Sequence, residues 1–328
     1  MSLVRSVRSA FFDIARDTLR VSRDLYLVMI PAIVAVKVLQ EFDLIRYLAL
    51  PLQPLMNLVG LPAEMGLAWA AALLNGVYAG IIIFLQLAQG SAEPLSVAQV
   101  TTLGAMMLIA HGLPVEAGIA HRCGARFLGQ AVIRVGVALA FGIAYSAFTS
   151  ATGMYQDVAA IPLPGAAADP SIAAWALGEA KKLLSISVVI FTLLVAMRCL
   201  RAVGALNAIS RAMEPVMRLI GIGAKASTIT MIGMTLGLSY GSGIILKDAR
   251  SGELAPEDVF FSLSFMGICH SLIEDTVLML LIGAEINGVL WIRLAACLLF
   301  TAVLVRLVRR LPEAAKTRFL WMPRQAAA

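Results

Sequence analysis

The stretch FMGICHSLIEDTVLMLL at 265–281 decides how this chain is read. It is apolar along nearly its whole length, yet it carries His270, Glu274 and Asp275 in its middle. An ionisable residue at mid-bilayer costs about 2.5–3.5 kcal/mol on insertion scales, so three together face a bundle interior or a water-filled cavity. His270 and Glu274 are four apart and share a helical face, and Asp275 lies about 100° further round. A second stretch, MMLIAHGLPVEAG at 106–118, holds His111 and Glu116 with Gly112 and Pro114 between them. Pro114 removes a backbone donor and is expected to break the helix. A break at membrane depth frees backbone groups that can bind a substrate or ion.

Working outward, the chain has 328 residues, of which 60% are hydrophobic and 14% charged. Soluble domains run at about 45–50% and about 25%. Several apolar runs exceed the roughly 18 residues that mark a membrane helix. The expected fold class is all-α, a polytopic helical membrane protein; strand alternation of the outer-membrane barrel kind is absent. The net charge of +6 does not point to nucleic acid. Basic residues cluster at segment ends, as positive-inside sorting requires, and no basic patch interleaved with aromatics occurs. Cys123, Cys199, Cys269 and Cys297 lack CxxC spacing and read as reduced small hydrophobes, with Cys269 a ligand candidate because it abuts His270.

Residues 1–23 contain no apolar core of a cleavable signal. Leu3, Val7, Phe11, Ile14, Thr18 and Val21 recur at helical spacing among Arg5, Arg8, Arg16, Arg20 and Arg23. This predicts an amphipathic helix on the anionic inner leaflet. Apolar segments follow at 25–39, 48–61, 65–87, 97–120 and 128–148. The run at 48–61 holds Pro51, Pro54 and Gly60 and is short for a crossing, which fits a re-entrant or broken path. Residues 149–181 are rich in Ala, Gly and Pro and read as a linker.

The second half repeats the first. ALPLQPLMNLVGLP at 49–62 matches SRAMEPVMRLIGIG at 210–223. Further along, Ser91 and Glu93 pair with Ser251 and Glu253, His111 with His270, and Arg134 in VIRV with Arg293 in WIRL. Small residues recur every fourth position, at Ala68, Ala72, Gly76 and Gly80, and again at Gly233, Gly237 and Gly241; such stripes let membrane helices approach closely. The expected organisation is an interfacial helix at 1–23, a repeat at 24–148, an extracytoplasmic linker at 149–181, a second repeat at 182–308 and a basic tail at 309–328. Lys and Arg are abundant at both ends and nearly absent from the linker, so both termini are expected in the cytoplasm. Each repeat then crosses an odd number of times. Two inverted-topology repeats follow, of about five segments each, some broken or re-entrant.

The two His/acid clusters admit proton exchange, ligation of a divalent metal by His111, His270 and Glu274, contact with a polar solute, or a purely structural tie between helices. Other candidates for lining the cavity are Asn75, Tyr78, Ser239, Tyr240 and Ser242. The run GLSYGSG at 237–243 formally contains G-x-S-x-G, but a nucleophile elbow needs a strand before it, and an apolar helix surrounds it here. No enzyme activity is expected. His121 sits beside Arg122 in a basic turn, where solvation is the default.

The duplicated P-x-M-x-L-x-G stretch, the small-residue run ending in SYGSGII, and CHSLIEDT resemble the nucleoside-recognition or Gate family. That family includes spore maturation proteins A and B, and modules in ferrous iron transporter B and the concentrative nucleoside transporters. The resemblance implies an inverted-repeat transport scaffold with binding near the midplane. The expectation is an inner-membrane secondary transporter, proton- or cation-coupled, for a small polar solute such as a nucleoside, organic anion or metal ion. The alternatives are a non-transporting membrane partner or assembly protein on the same scaffold, and a metal-dependent intramembrane enzyme. Expected partners are the lipid bilayer, the solute, and a second copy or another membrane protein; no cofactor is required beyond a divalent metal or coupling ion.

Overall fold

The computed structural model describes residues 2–42, 44–90, 93–161, 171–236, 243–248 and 253–322. These residues are helical apart from turns and two isolated β-bridges, Ser96–Val158 and Ala125–Trp321. The first half comprises α1 (Ser2–Glu41), α2 (Ile45–Ala49), α3 (Gln53–Leu58), α4 (Met65–Asn75), α5 (Val77–Gly90), α6 (Val97–Ile109), α7 (Leu113–Arg122) and α8 (Phe127–Thr152). The second comprises α9 (Ile172–Ala202), α10 (Ala205–Ile220), α11 (Ala224–Leu236), α12 at 243–248, α13 (Pro256–Ile268), α14 (Leu272–Leu281), a π-helical segment (Asn287–Ile292) and α15 (Arg293–Arg310), followed by α16 (Glu313–Phe319). Gly60 and Gly221, paired by sequence, both follow the end of a helix with positive φ, at 69° and 103°.

Five helical stretches are long and apolar enough to cross a bilayer: Val97–Arg122, Phe127–Thr152, Ile172–Ala202, Pro256–Leu281 and Asn287–Arg310. A sixth candidate pairs α1 with α2 and α3 across a bend of 110°. That bend gives the 48–61 run its own direction. The helix of the N-terminal region runs unbroken from Ser2 through Pro31 to Glu41, with no boundary near residue 23.

The 65–87 run, expected to cross once, does something else. It folds back on itself at Gly76, whose φ of 105° and ψ of 173° lie in a region essentially restricted to glycine. A β-carbon on Gly80 would stand 2.6 Å from the Ala72 β-carbon and 3.1 Å from the Ala68 carbonyl. These contacts require α4 and α5 to lie side by side and antiparallel. The small-residue stripe therefore packs the two arms of one hairpin together. Arms of 11 and 14 residues are too short to span the roughly 30 Å hydrocarbon layer at 1.5 Å per residue.

Two helices are interrupted, α6–α7 at 110–112 and α13–α14 at 269–271. Each interruption contains one residue in the left-handed region, Gly112 (φ 53°) and Ser271 (φ 47°). The two broken helices meet. The Glu285 amide donates to the Thr101 hydroxyl at 2.8 Å, a β-carbon on Gly104 would stand 2.9 Å from the Met279 sulfur, and His111 reaches His270. Numbers fall along one as they rise along the other, so the broken helices run antiparallel. One large core surrounds them, with Phe84, Met106, Met107, Phe260, Phe261, Phe265 and Met266 fully buried.

The first helices of the two halves also pair antiparallel. The Tyr26 hydroxyl donates to the Leu183 carbonyl at 2.8 Å, and the Ser187 hydroxyl to that of Ser22 at 2.9 Å. Beneath them Glu179 is held by Gln86 at 2.6 Å and by Lys182 at 2.7 Å. Residues 317–321 of the basic C-terminal stretch are docked. Trp321 packs against Phe260 at a tilt, with ring centroids 5.5 Å apart, and Arg126 donates to the Thr317 and Leu320 carbonyls. Residues 155–159 of the expected linker bond to 95–98, while 162–170 fall outside the described residues.

Candidate functional site

The site forms where the two interruptions face each other. Helix α6 ends because Gly112 turns left-handed and Pro114 follows it in the first turn of α7. Helix α13 ends at the equivalent point, where Ser271 takes the same turn without being glycine. A non-glycine residue there costs about 1–2 kcal/mol, and such strain concentrates at functional positions.

His111 and His270 sit on these turns, buried to 7% and 6% exposure. Nδ1 of His111 contacts the Met107 carbonyl at 3.0 Å, and Nδ1 of His270 contacts the Met266 carbonyl at 2.8 Å. A carbonyl only accepts, so these contacts assign the proton of each neutral ring to Nδ1. Both Nε2 atoms then present lone pairs to one point, and they stand 3.2 Å apart. Two facing lone pairs repel. The arrangement is satisfied when a cation lies there: a proton held between the rings, or a metal ion bound by both.

The carboxylates complete the site. Oε1 of Glu116 lies 3.2 Å from the His111 Nε2 and 3.4 Å from the His270 Nε2. Its other oxygen is gripped by the Arg134 guanidinium, whose Nε also donates to the Ile109 carbonyl at 3.1 Å. Arg134 thus caps the broken end of α6 and aims Glu116. Asp275, buried, offers a carboxylate oxygen within 4.8 Å of both histidine ligand atoms. Glu116, Glu274 and Asp275 all lie in first turns of helices, where the N-terminal dipole favours negative charge.

The predicted site residues separate into three groups. His111, Glu116, His270 and Asp275 come together. Glu274 lies one step away, facing the Tyr78 hydroxyl; the buried group that joins the two histidines in a metal-competent triad is Asp275, where the sequence pointed to Glu274. Asn75 is exposed at the tip of the α4–α5 hairpin. That tip is tied to the site by the Gly112 amide, which donates to the Ala72 carbonyl at 2.9 Å. Ser239, Tyr240 and Ser242 lie outside the described residues.

Two arginines complete a constellation that sequence reasoning used only as repeat markers. Arg134 is 2% exposed and Arg293 is 0% exposed. Their placement in the apolar runs VIRV and WIRL was the available signal, since a buried arginine demands a partner. Arg293 lies near Asp275, yet none of its three guanidinium nitrogens has a hydrogen-bond partner among the described residues, nor has Oδ2 of Asp275. A π-helical turn immediately precedes Arg293 and has no counterpart before Arg134; such turns recur at functional sites.

Residues 183–285 match the Gate family, described as nucleoside recognition. The matched span includes His270, Glu274 and Asp275. The chain is also similar to an uncharacterized membrane protein, YvoD, of Bacillus subtilis (strain 168), with 27% identity over 280 residues, covering 84% of this chain and 87% of that protein. No solved structure matches. The chain is a helical membrane protein whose residues 183–285 resemble the Gate family.

Proposed function

We propose that this chain is a secondary transporter of a bacterial inner membrane that carries a small polar solute past a site shared by its two halves. The observation that carries the reading is the 3.2 Å approach of His111 and His270, one from each interrupted helix. Interrupted helices that meet at membrane depth, with helix N-termini and freed carbonyls around them, are how inverted-repeat transporters build binding sites. The antiparallel course of α6–α7 against α13–α14, and of α1 against α9, supports inversion. The Lys and Arg bias supports cytoplasmic termini.

In this reading His111, His270, Glu116 and Asp275 take up and release the coupling cation. Tyr78, Glu274, Asn75 and the Ser239, Tyr240 and Ser242 stretch contact the solute. The α4–α5 hairpin serves as a gate, because its tip joins the site through Gly112 and each of its arms is too short to cross the bilayer. No catalytic residue is assigned.

The test is flux into proteoliposomes for a panel of nucleosides, small carboxylates and divalent metals, with internal pH followed in parallel. One class is expected to accumulate, and His270→Ala is expected to abolish flux while its melting curve in detergent stays cooperative. Flux that survives His270→Ala removes the cluster from the mechanism. A wild type that moves nothing, and purifies with a stoichiometric membrane partner, replaces transport with the assembly role.

A further inference from the structure

We propose that His111 Nε2, His270 Nε2, Glu116 Oε1 and a carboxylate oxygen of Asp275 form a binding site for a divalent transition-metal ion of the zinc and ferrous-iron class. The proposal rests on the transport reading only for the ion's role as the coupling cation, and the binding site itself stands on geometry.

Three donor atoms form a nearly equilateral triangle, with sides of 3.2, 3.2 and 3.4 Å. A tetrahedral ion bound at about 2.0–2.1 Å by nitrogen and oxygen ligands sets those ligands about 3.3 Å apart. The triangle therefore has the dimensions of one face of a tetrahedral site. Asp275 offers a fourth donor. Its ligand oxygen lies within 4.8 Å of both imidazole nitrogens, and its Oδ2 is buried without a hydrogen-bond partner among the described residues.

The surroundings are those of a ligand set. Each histidine presents Nε2 because its Nδ1–H is held by a carbonyl four residues earlier, the outer contact that orients metal-bound imidazoles. Arg134 occupies Oε2 of Glu116 and leaves Oε1 free to point at the histidines. A proton shared between the rings is the rival occupant of the same point, and the cobalt titration below separates it from a bound metal ion.

The donor set selects the ion. Two imidazoles with two carboxylates suit zinc, ferrous iron or manganese, whereas magnesium and calcium take six or more oxygens. Arg134 and Arg293 oppose the carboxylate charge, so affinity comes from the nitrogen donors. This moderates binding, which a transported ion requires in order to leave. Ligands from both α6–α7 and α13–α14 make occupancy sensitive to the relative position of the two halves.

Cobalt is the probe, because its visible spectrum reports tetrahedral coordination. The full chain, purified with a tag that contains no histidine and stripped with chelator, is titrated with Co²⁺ in detergent. The expected result is intense tetrahedral bands that saturate at a single ion per chain. Zn²⁺ abolishes them, and tenfold excess Mg²⁺ does not. His111→Ala and His270→Ala each lose the bands, and His121→Ala, at the exposed end of α7, retains them. Wild-type protein without tetrahedral bands overturns the proposal, and this outcome does not depend on any variant folding. Bands that survive the His111→Ala/His270→Ala double substitution overturn it as well. Flux on the same preparation is read separately. Protein that binds Co²⁺ in this way but moves no ion into liposomes keeps the site and loses the transport reading. Proton flux in protein without the bands does the reverse.

Discussion

Arg134 and Arg293 occupy equivalent places in the two halves and have opposite surroundings. Arg134 holds Glu116 and the Ile109 carbonyl. Arg293, more deeply buried, holds no hydrogen-bond acceptor among the described residues. The correspondence between the two halves therefore extends to the residue and not to its bond.

This difference predicts unequal costs of removal. Arg134→Met breaks a buried ion pair and uncaps α6, and is expected to cost about 3–5 kcal/mol. Arg293→Met removes donors that lack acceptors, so it is expected to cost less than half as much. Chemical unfolding of both variants in the same detergent decides it. Equal losses mean that Arg293 is bonded in the folded protein.

The hairpin turn predicts a glycine effect that is independent of packing. A β-carbon on Gly76 meets nothing within 4 Å, yet its backbone region is closed to other residues. Gly76→Ala is expected to cost about 1–3 kcal/mol from strain alone. Gly118, in the middle of α7, also has open space around it; Gly118→Ala is expected to gain up to about 1 kcal/mol from helix propensity. Paired melting curves test the contrast, and a Gly76→Ala protein as stable as wild type rules out the turn.

The two interruptions make a reciprocal pair. Ser271 carries a φ of 47° without being glycine, and Gly112 carries 53°. Ser271→Gly is expected to stabilise by about 1 kcal/mol and Gly112→Ala to destabilise by at least as much. If Ser271→Gly lowers the melting temperature, its hydroxyl has a role that outweighs the strain.

Much of this was legible in the chain because bilayer physics restricts the alternatives. The apolar lengths marked the helices of 97–122 and 127–152, Pro114 marked the break in the first, and intramembrane ionisable residues marked the site. The fold-back at Gly76 was hidden because Asn75 and Gly76 interrupt an apolar run long enough to cross. The stripe of Ala68, Ala72 and Gly80 serves one hairpin as well as two separate helices. The carbonyls of Met107 and Met266 were hidden for another reason: any residue supplies a carbonyl, so side-chain identity carries no trace of it. Glu179 and Lys182 were hidden by their place near the linker boundary, where charge looks like solvated surface; the contact of Glu179 with Gln86 arises only when α9 packs on α5.

The meeting of the two halves can be locked directly. A β-carbon on Gly104 would stand 3.7 Å from the Met279 β-carbon, close to the roughly 3.8 Å of native disulfides. Gly104→Cys with Met279→Cys is therefore expected to form a disulfide between α6 and α14 under mild oxidation, identified as a cross-linked peptide by mass spectrometry. The four native cysteines can stay, because peptide masses separate their products. If α6–α7 and α13–α14 must part for the site to open to each side in turn, the oxidised protein loses flux and a reductant restores it. Failure of the bond to form contradicts the antiparallel contact itself. Unchanged flux in fully cross-linked protein means that the site opens without separating these helices, and the gating movement then falls to the α4–α5 hairpin.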